Sequence, residues 1–350
     1  MNYKSKKYIS DVEYVCDLPL EWSKLSGMSV MITGATGLIG SFLIDVLMYR
    51  NAEHRQNCKV AAVSRGREKL EARFPQYIDS GNFGYVCSDV NMPIEYPEGA
   101  DYVIHLASNT HPIEYSTQPI STITSNVIGL YNILNYAASV GARRCVFASS
   151  NEIYGENRGD VELFYEDYCG YIDCNTMRAG YPESKRCAEA LCQAYIAEKH
   201  MDIVIPRFTR TYGPTMNMDD SKAVSQFIRK AIAGEDIVLK SEGLQYYSYT
   251  YVADAVAGLL YVMLQGECGE AYNIADESSD IRLRDLAEIM ASYGGHKVVY
   301  EIPDSVEARG YSTATKARLD GTKIHGLGWK PKYDIHDGVY RTLDILKGDL

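Results

Sequence analysis

The 350-residue chain has no Cys-x-x-Cys pair and no His/Cys/Asp cluster at metal-ligand spacing, so its sequence offers neither a redox dithiol nor a metal centre. Its nine cysteines (16, 58, 87, 145, 169, 174, 187, 192 and 268) are odd in number, and several lie in apolar runs such as Arg144-Cys145-Val146-Phe147. Reduced, buried thiols of a cytoplasmic protein are therefore expected rather than a disulfide framework. No apolar run is long enough to cross a membrane, and the polar, aromatic stretch from Met1 to Ser26 lacks the apolar core of a signal peptide. Positive charge is in deficit. Lys and Arg number 35 against 46 Asp and Glu, and the net charge of −11 argues against general binding to nucleic acid or to a membrane surface. Internal repeats and low-complexity segments are absent as well.

What is present suffices for a sizeable core. Apolar residues make up 46% of the chain, enough for one large α/β unit or two abutting domains. From Ser29 onward, short β-branched runs alternate with helical ones, the mark of βαβ units. Strands are expected at Ser29–Thr33, Lys59–Ser64, Gly84–Cys87, Asp101–Leu106, Arg144–Ser149 and Asp202–Pro206. Helices are expected from Ile120 to Val140 and from about Pro182 to His200. After Pro206 the texture changes, with a helix over Lys222–Ala233, a Tyr-rich strand at 246–252 and a helix from Leu283 to Tyr293. The expected organisation is an N-terminal extension (1–26) packed on the first domain or contacting a partner, a domain over 27–205 and a second over 206–350, with strands allowed to cross back.

Two motifs carry chemistry. Thr33-Gly34-Ala35-Thr36-Gly37-Leu38-Ile39-Gly40 follows the apolar run Ser29–Ile32 and precedes an amphipathic run. That is the strand–turn–helix setting of a dinucleotide-binding turn. Gly34 permits the turn, Gly37 lets backbone approach a pyrophosphate, Gly40 lets helix and strand close up, and the helix N-terminus offers unpaired N–H groups to phosphate. The second motif is Tyr181-Pro182-Glu183-Ser184-Lys185. Positions i and i+4 share a helix face, so an ammonium beside the Tyr181 phenol is expected to lower its pKa and let it move the proton of an alcohol during hydride transfer. Together the motifs read as a short-chain dehydrogenase/reductase. Ser150, at the carboxyl end of a strand, either polarises a substrate oxygen beside Tyr181 or caps a turn. Glu152 is either a second base, a ligand of sugar hydroxyls, or an exposed turn carboxylate.

Longer stretches sharpen this. They include His105-Leu106-Ala107-Ser108, Pro119 through Gly129 with Asn126, Ser150 through Gly155, Arg178 through Arg186, Arg207 through Pro214, Tyr251-Val252-Ala253-Asp254 and Gly328-Trp329-Lys330-Pro331. In that order, over roughly residues 29 to 331, the chain resembles the extended short-chain dehydrogenases/reductases of the nucleotide-sugar epimerase/dehydratase group, and among them the UDP-glucuronate decarboxylases. The resemblance implies an α/β fold: a Rossmann-type doubly wound parallel sheet with a smaller C-terminal α/β substrate domain, and a homodimer formed by the two long helices. It implies a catalytic group of Ser150, Tyr181 and Lys185 ordered by Asn126, with Asn151 and Glu152 beside it. It also implies cofactor contacts from Gly34, Thr36, Gly37, Leu38, Ile39, Gly40, Ser64, Arg65, Asp89, Val90, Leu106, Ala107, Ser108, Tyr181, Lys185 and Arg207. Substrate contacts are implied for Asn109, His111, Arg178, Arg210, Tyr247 and Arg309.

The chain also departs from these relatives. NAD-using members usually carry an acid at the end of the second strand, where this chain has Ser64-Arg65. That removes a repulsion and supplies a cation for a 2′-phosphate, which favours NADP(H) over NAD(H). Position 151 is Asn where 4,6-dehydratases place an acidic proton donor, which disfavours dehydration. Position 247 is Tyr where relatives carry a phosphate-binding Arg, and position 210 is Arg where they carry Asn. Arg210 therefore either replaces the lost cation or pairs with Asp219 or Asp220. His105 is expected in the core or beside the cofactor, and His111 either at the substrate cleft or in a loop without a role. Among the 29 tyrosines, Tyr246, Tyr247 and Tyr249 could stack on a base or sugar.

The expected activity is net reduction, by NADPH, of a ketone on a nucleotide-linked sugar or polyol for surface-glycan synthesis, with a CDP-linked pentitol or a deoxysugar as product class. The alternative is an internal redox cycle, as in UDP-glucuronate decarboxylase, 4-epimerase or 4,6-dehydratase. A dinucleotide-binding sensor or scaffold without turnover is a third class, which the intact Ser150, Tyr181 and Lys185 set disfavours.

Overall fold

Apolar runs bounded by turns become strands buried on both faces. In the computed structural model, which describes residues 5–110, 115, 117–301 and 316–348, the first seven are β1 (Ser29–Thr33), β2 (Lys59–Ser64), β3 (Phe83–Cys87), β4 (Tyr102–His105), β5 (Arg144–Phe147), β6 (Ser149–Ser150) and β7 (Ile203–Phe208). After them come β8 (Arg210–Tyr212), β9 (Ile237–Leu239), β10 (Tyr246–Tyr251), β11 (Ala271–Ile274), β12 (Asp280–Arg282), β13 (Val298–Tyr300) and β14 (Lys316–Ala317). The main sheet has the order 3-2-1-4-5-7-11 with β6 beside β7, and all its pairings are parallel. Strand order reverses between β1 and β4, which opens a crevice at the carboxyl ends of these strands, where such sheets bind ligands.

Alternate residues of each strand feed two helical layers. Val30 and Ile32 of β1 join the layer holding helices Leu38–His54 and Val252–Gln265, whereas Met31 joins the layer holding helices Pro119–Val140 and Gly180–Lys199. The expected strand Arg144–Ser149 is interrupted at Ala148. Its N–H still reaches the His105 carbonyl at 3.1 Å, but its own carbonyl accepts the Lys185 ammonium at 2.8 Å and so leaves the ladder.

The expected domain border at 205/206 falls inside β7. Beyond it the chain does cross back, because β11 pairs with β7 from Ala271↔Ile205 to Ile274↔Phe208. The smaller lobe is built on a sheet of order β12-β10-β14 with β8 beside β10, and β9 and β13 form a separate pair. Helix Val252–Gln265 is buried at every position from Val252 to Leu264. With no polar face it has no 3.6-residue pattern, which is why the sequence reading found no helix there.

The N-terminal extension is a helix, Lys6–Cys16, lying across the seam between the lobes. Tyr8 donates to Asp45 and Tyr49 donates to Glu13 at 2.8 Å on the dinucleotide side. On the other side Tyr14 donates to Asp254 at 2.9 Å, and Asp11 accepts from the Tyr251 hydroxyl at 2.7 Å and from Arg341 Nε at 2.8 Å. All nine cysteines are free, as expected, but only Cys16, Cys58, Cys145 and Cys192 are buried; the other five are exposed. Among the described residues no helix is long and apolar enough to cross a membrane, and no group of His, Cys, Asp or Glu could hold a metal ion.

Candidate active site

The glycine turn forms as the motif requires. Gly34 has φ of +67°, and a Cβ there would lie 2.8 Å from the backbone of Leu106 and Ala107. A Cβ on Gly40 would stand 2.4 Å from the Gly34 carbonyl oxygen, so helix and turn close to a distance that only glycine allows. Gly37 caps helix Leu38–His54 without any side-chain acceptor, which leaves the first N–H groups of the helix open. This cradle, at the crevice beside β1, fits a dinucleotide pyrophosphate. Thr36, Leu38 and Ile39 lie in the turn and first helical residues, and the Leu38 carbonyl also accepts from Thr215 Oγ1 at 2.8 Å, tying the second lobe to the turn.

The other expected cofactor contacts ring the same crevice. Ser64 ends β2 and Arg65 follows it, exposed and without an ion pair among the described residues. Asp89 accepts from the Asn91 backbone at 2.9 Å, and Val90 packs where a Cβ on Gly129 would meet it at 2.9 Å. Leu106 and Ala107 border the turn, with the Ala107 N–H donating to Thr33 Oγ1 at 3.2 Å. Arg207 departs from expectation. Its Nε and Nη2 donate to the two Glu189 oxygens at 3.0 and 2.7 Å, and its Nη1 donates to the Tyr154 hydroxyl at 2.9 Å and the Glu166 carbonyl at 2.6 Å. At most one N–H is left for a cofactor, so Arg207 is a brace between helix Gly180–Lys199 and the turn after β6.

Helix Gly180–Lys199 presents Tyr181 and Lys185 together, both almost fully buried. Lys185 Nζ lies 5.9 Å from the Tyr181 ring centre and donates to Ala148. The phenol pKa is raised, not lowered: burial dominates and the Glu152 charge adds to it, while hydrogen bonds from Ser150 and Ser108 oppose. The ammonium is too far away, and engaged with Ala148, to reverse this. Instead Lys185 is itself pulled down to about 7 by burial, with Glu189 opposing.

Ser150 caps a turn and also stands beside Tyr181. Its hydroxyl accepts the Glu152 N–H at 3.2 Å, capping the short 3₁₀ turn Asn151–Tyr154, and it also reaches the phenol. Asn151 accepts weakly from Ser150 at 3.4 Å. Glu152 is not a bland surface acid. Its carboxylate stands 3.6 Å from the Arg178 guanidinium and its charge acts on Tyr181. Asn126 accepts from Ser108 Oγ at 2.8 Å and donates to Ser184 Oγ at 2.9 Å. Asn109 donates to Ser121 at 3.4 Å. His105 is buried beside Thr33 Oγ1 at 2.8 Å and held neutral, pushed to about 3 by burial and by Lys185. His111 and Arg309 lie outside the described residues.

Three partners were not foreseen. Tyr115 stacks on Tyr181 with ring centres 4.8 Å apart, Ser184 completes the Asn126 contacts, and Glu189 holds Arg207. Ser184 and Glu189 share the helix of Tyr181, so helical spacing could have suggested them. Nothing in the spacing of Tyr115 signals its position. Toward the second lobe, Arg210 makes no ion pair with Asp219 or Asp220, and the Asp220 carboxylate stands 3.3 Å from Lys222. The Arg210 guanidinium carbon lies over the Tyr247 ring, 3.5 Å from its centre.

A glycine cradle at the strand reversal, with a Tyr/Lys/Ser group at the carboxyl ends of β5 and β6, is the chemistry of a pyridine-nucleotide alcohol oxidoreductase. The family model described as "NAD dependent epimerase/dehydratase family" matches residues 30–275. The chain belongs to the NAD dependent epimerase/dehydratase family. It is 33% identical over 330 residues to UDP-glucuronic acid decarboxylase 5 of Arabidopsis thaliana, covering 92% of this chain and 90% of that one. To UDP-glucuronic acid decarboxylase 1 of Xenopus tropicalis it is 32% identical over 323 residues, covering 92% and 72%. Its fold resembles that of UDP-glucuronic acid 4-epimerase from Bacillus cereus, solved with UDP-glucuronic acid and NAD, with a TM-score of 0.77 at 20% identity over 92% and 100% of the two chains. A dTDP-glucose 4,6-dehydratase double mutant from Streptomyces venezuelae with NAD bound also superposes, with a TM-score of 0.77 at 22% identity over 91% and 97%. As a family member the chain is an enzyme that modifies nucleotide sugars with a pyridine nucleotide.

Proposed function

We propose that the protein works by a closed redox cycle on a nucleotide-linked sugar, oxidising the 4-hydroxyl and returning the hydride in the same site, with a uronic acid losing its carboxylate in between. The observation that carries this is Glu152. Net ketone reduction needs one proton donor, which Tyr181 supplies; a second acid–base group, a carboxylate whose charge acts on that phenol and which stands beside Arg178, serves a step between oxidation and reduction. The similarity to UDP-glucuronic acid decarboxylases over nine-tenths of the chain supports the same reading.

In this mechanism Tyr181 must first give up its own proton against the burial that raises its pKa, a step the positive charge of a bound oxidised nicotinamide would favour, and then takes the proton of the sugar 4-hydroxyl while Ser150 hydrogen-bonds its oxygen. A bound nicotinamide supplies one thing, a place for the C4 hydride to go and to come back from. The 4-keto uronic acid is a β-keto acid. Its C5–C6 bond breaks, carbon dioxide leaves, and the electron pair moves into the C4 carbonyl, whose oxygen Tyr181 and Ser150 stabilise. C5 then regains a proton from a water molecule on the Glu152 side, and hydride return with the Tyr181 proton restores the alcohol. Asn126 holds Ser108 and Ser184 in place throughout. Asn151 has no acidic proton for 4,6-dehydration. Helix Pro119–Val140 exposes Ile120, Ile123, Ile128 and Tyr131, and this apolar stripe suits a second copy of the chain.

The test is a substrate deuterated at C4, UDP-glucuronic acid first, given to protein without added cofactor. Deuterium retained in a pentose product, with carbon dioxide released, is the expected result. Deuterium lost to solvent or cofactor, or turnover only with stoichiometric NADPH, would overturn the cycle. The second reading, an NADPH-dependent reductase, is favoured by Ser64 at the end of β2 and by Arg65 after it, which forms no ion pair among the described residues.

A further inference from the structure

Arg210 opens β8, one residue after β7 ends. Phe208 of β7 is in register with Ser150 of β6, and Arg210 is in register with Tyr249 of β10. Arg210 therefore sits where the chain leaves the dinucleotide sheet for the sheet of the second lobe. Two residues of chain span at most about 7 Å, and adjacent strands lie about 4.8 Å apart. The Cα atoms of Arg210 and the catalytic Ser150 are thus no more than about 12 Å apart.

The state of this guanidinium is unusual for a cation at such a place. Among the described residues it forms no ion pair, and its Nη1 is buried with no hydrogen-bond partner. Among the described residues, other cations of this part of the chain are engaged: Lys222 with Asp220 and Thr110, and Arg229 with the Met218 and Asp220 carbonyls. Tyr247, itself buried, lies under the guanidinium plane and closes one face of it. A guanidinium seated over one ring face is held in place while its unpartnered N–H remains to meet a phosphate oxygen, and its fork shape suits bidentate contact. A buried donor without a partner costs stability unless a ligand satisfies it.

We infer that Arg210, held on the Tyr247 ring, is the clamp for the phosphate part of the substrate and so a residue that fixes how far the sugar reaches toward Ser150. The inference rests on the nucleotide-sugar reading. It assigns the phosphate contact to the β7–β8 crossover, with Tyr247 serving on β10 as platform rather than as ligand.

The experiment is calorimetric titration of the cofactor-loaded protein with UDP, CDP, GDP and dTDP, and with the matching nucleosides. Arg210→Gln is expected to weaken diphosphate binding ten- to a hundredfold while leaving the weak nucleoside binding unchanged. Arg210→Lys, which keeps the charge but not the fork, should recover only part of this. Tyr247→Leu, which keeps the cation but removes its platform, should lose several-fold. Melting curves identify any variant that fails to fold, and the Lys and Leu variants then carry the test. A diphosphate affinity unaltered in folded Arg210→Gln would overturn the clamp while leaving the nucleotide-sugar reading standing. Failure of the unaltered protein to bind any of the four diphosphates would overturn both.

Discussion

Lys185 and Arg207 are two buried cations on the same side of the sheet with opposite electrostatic histories. Burial pulls the Lys185 ammonium to about 7, whereas an unfolded chain keeps that proton to about 10.4. Between these values the unfolded state binds more protons than the folded one, so stability rises with pH across the window and is lost again as pH falls through 7. Lys185→Met lacks this titration. The melting temperature of the unaltered protein should therefore gain on that of the variant between pH 7 and pH 10, and a constant gap would show that the amine keeps its proton throughout. Arg207 has the reverse character, because its pairing with Glu189 outweighs burial and raises its pKa. Arg207→Met leaves the Glu189 carboxylate buried and alone, a loss of roughly 3–5 kcal/mol in urea unfolding. Dinucleotide affinity of the folded fraction should change little, since the guanidinium is already engaged. At this scale the sequence was legible where chemistry and spacing coincide, as at Tyr181, Lys185 and the three glycines. Arg207 was misread because Glu189, Tyr154 and Glu166, which engage it, come from separate elements.

Among the elements, those with a period or a punctuation mark could be read in advance. Helix Pro119–Val140 starts on a proline and ends at Gly141 with φ of 66°, and helix Leu283–Tyr293 has the bounds its pattern predicts. Helix Val252–Gln265 could not be read because every face of it is buried, and β8 and β11 because three or four residues carry no period. Helix Lys6–Cys16 was hidden by its tyrosines and acids, which look like a solvent-exposed extension. Only the fold reveals that Tyr8 and Tyr14 reach the buried carboxylates Asp45 and Asp254, both pushed up to about 7 by burial. Tyr14→Phe removes one donor from Asp254, which keeps the Lys332 and Tyr333 N–H groups. A loss of about 1–3 kcal/mol is expected by urea unfolding. Activity at low temperature should persist, because Tyr14 does not touch the catalytic group.

For the whole molecule the decisive feature is that the two lobes share one sheet. The sequence divided the chain at 205/206 because the texture changes there, but composition does not register that β11 returns to complete the edge beside β7. A fragment of residues 27–205 would end inside β7, leave its outer edge without a partner and expose the surface that helix Val252–Gln265 covers. Such a fragment should aggregate or remain unfolded when expressed alone, as light scattering and circular dichroism would report. The longer fragment 27–275, which adds that helix and β11, should be markedly more soluble.

The seam helix has a consequence for how the protein is made. Residues 6–16 leave the ribosome ahead of everything they pack on, and Asp45 and Tyr49 follow soon after. Their other partners, Tyr251, Asp254 and Arg341, follow 240 residues or more later. Until then the helix waits with half its face bare, so a segment made early is among the last to be locked in place.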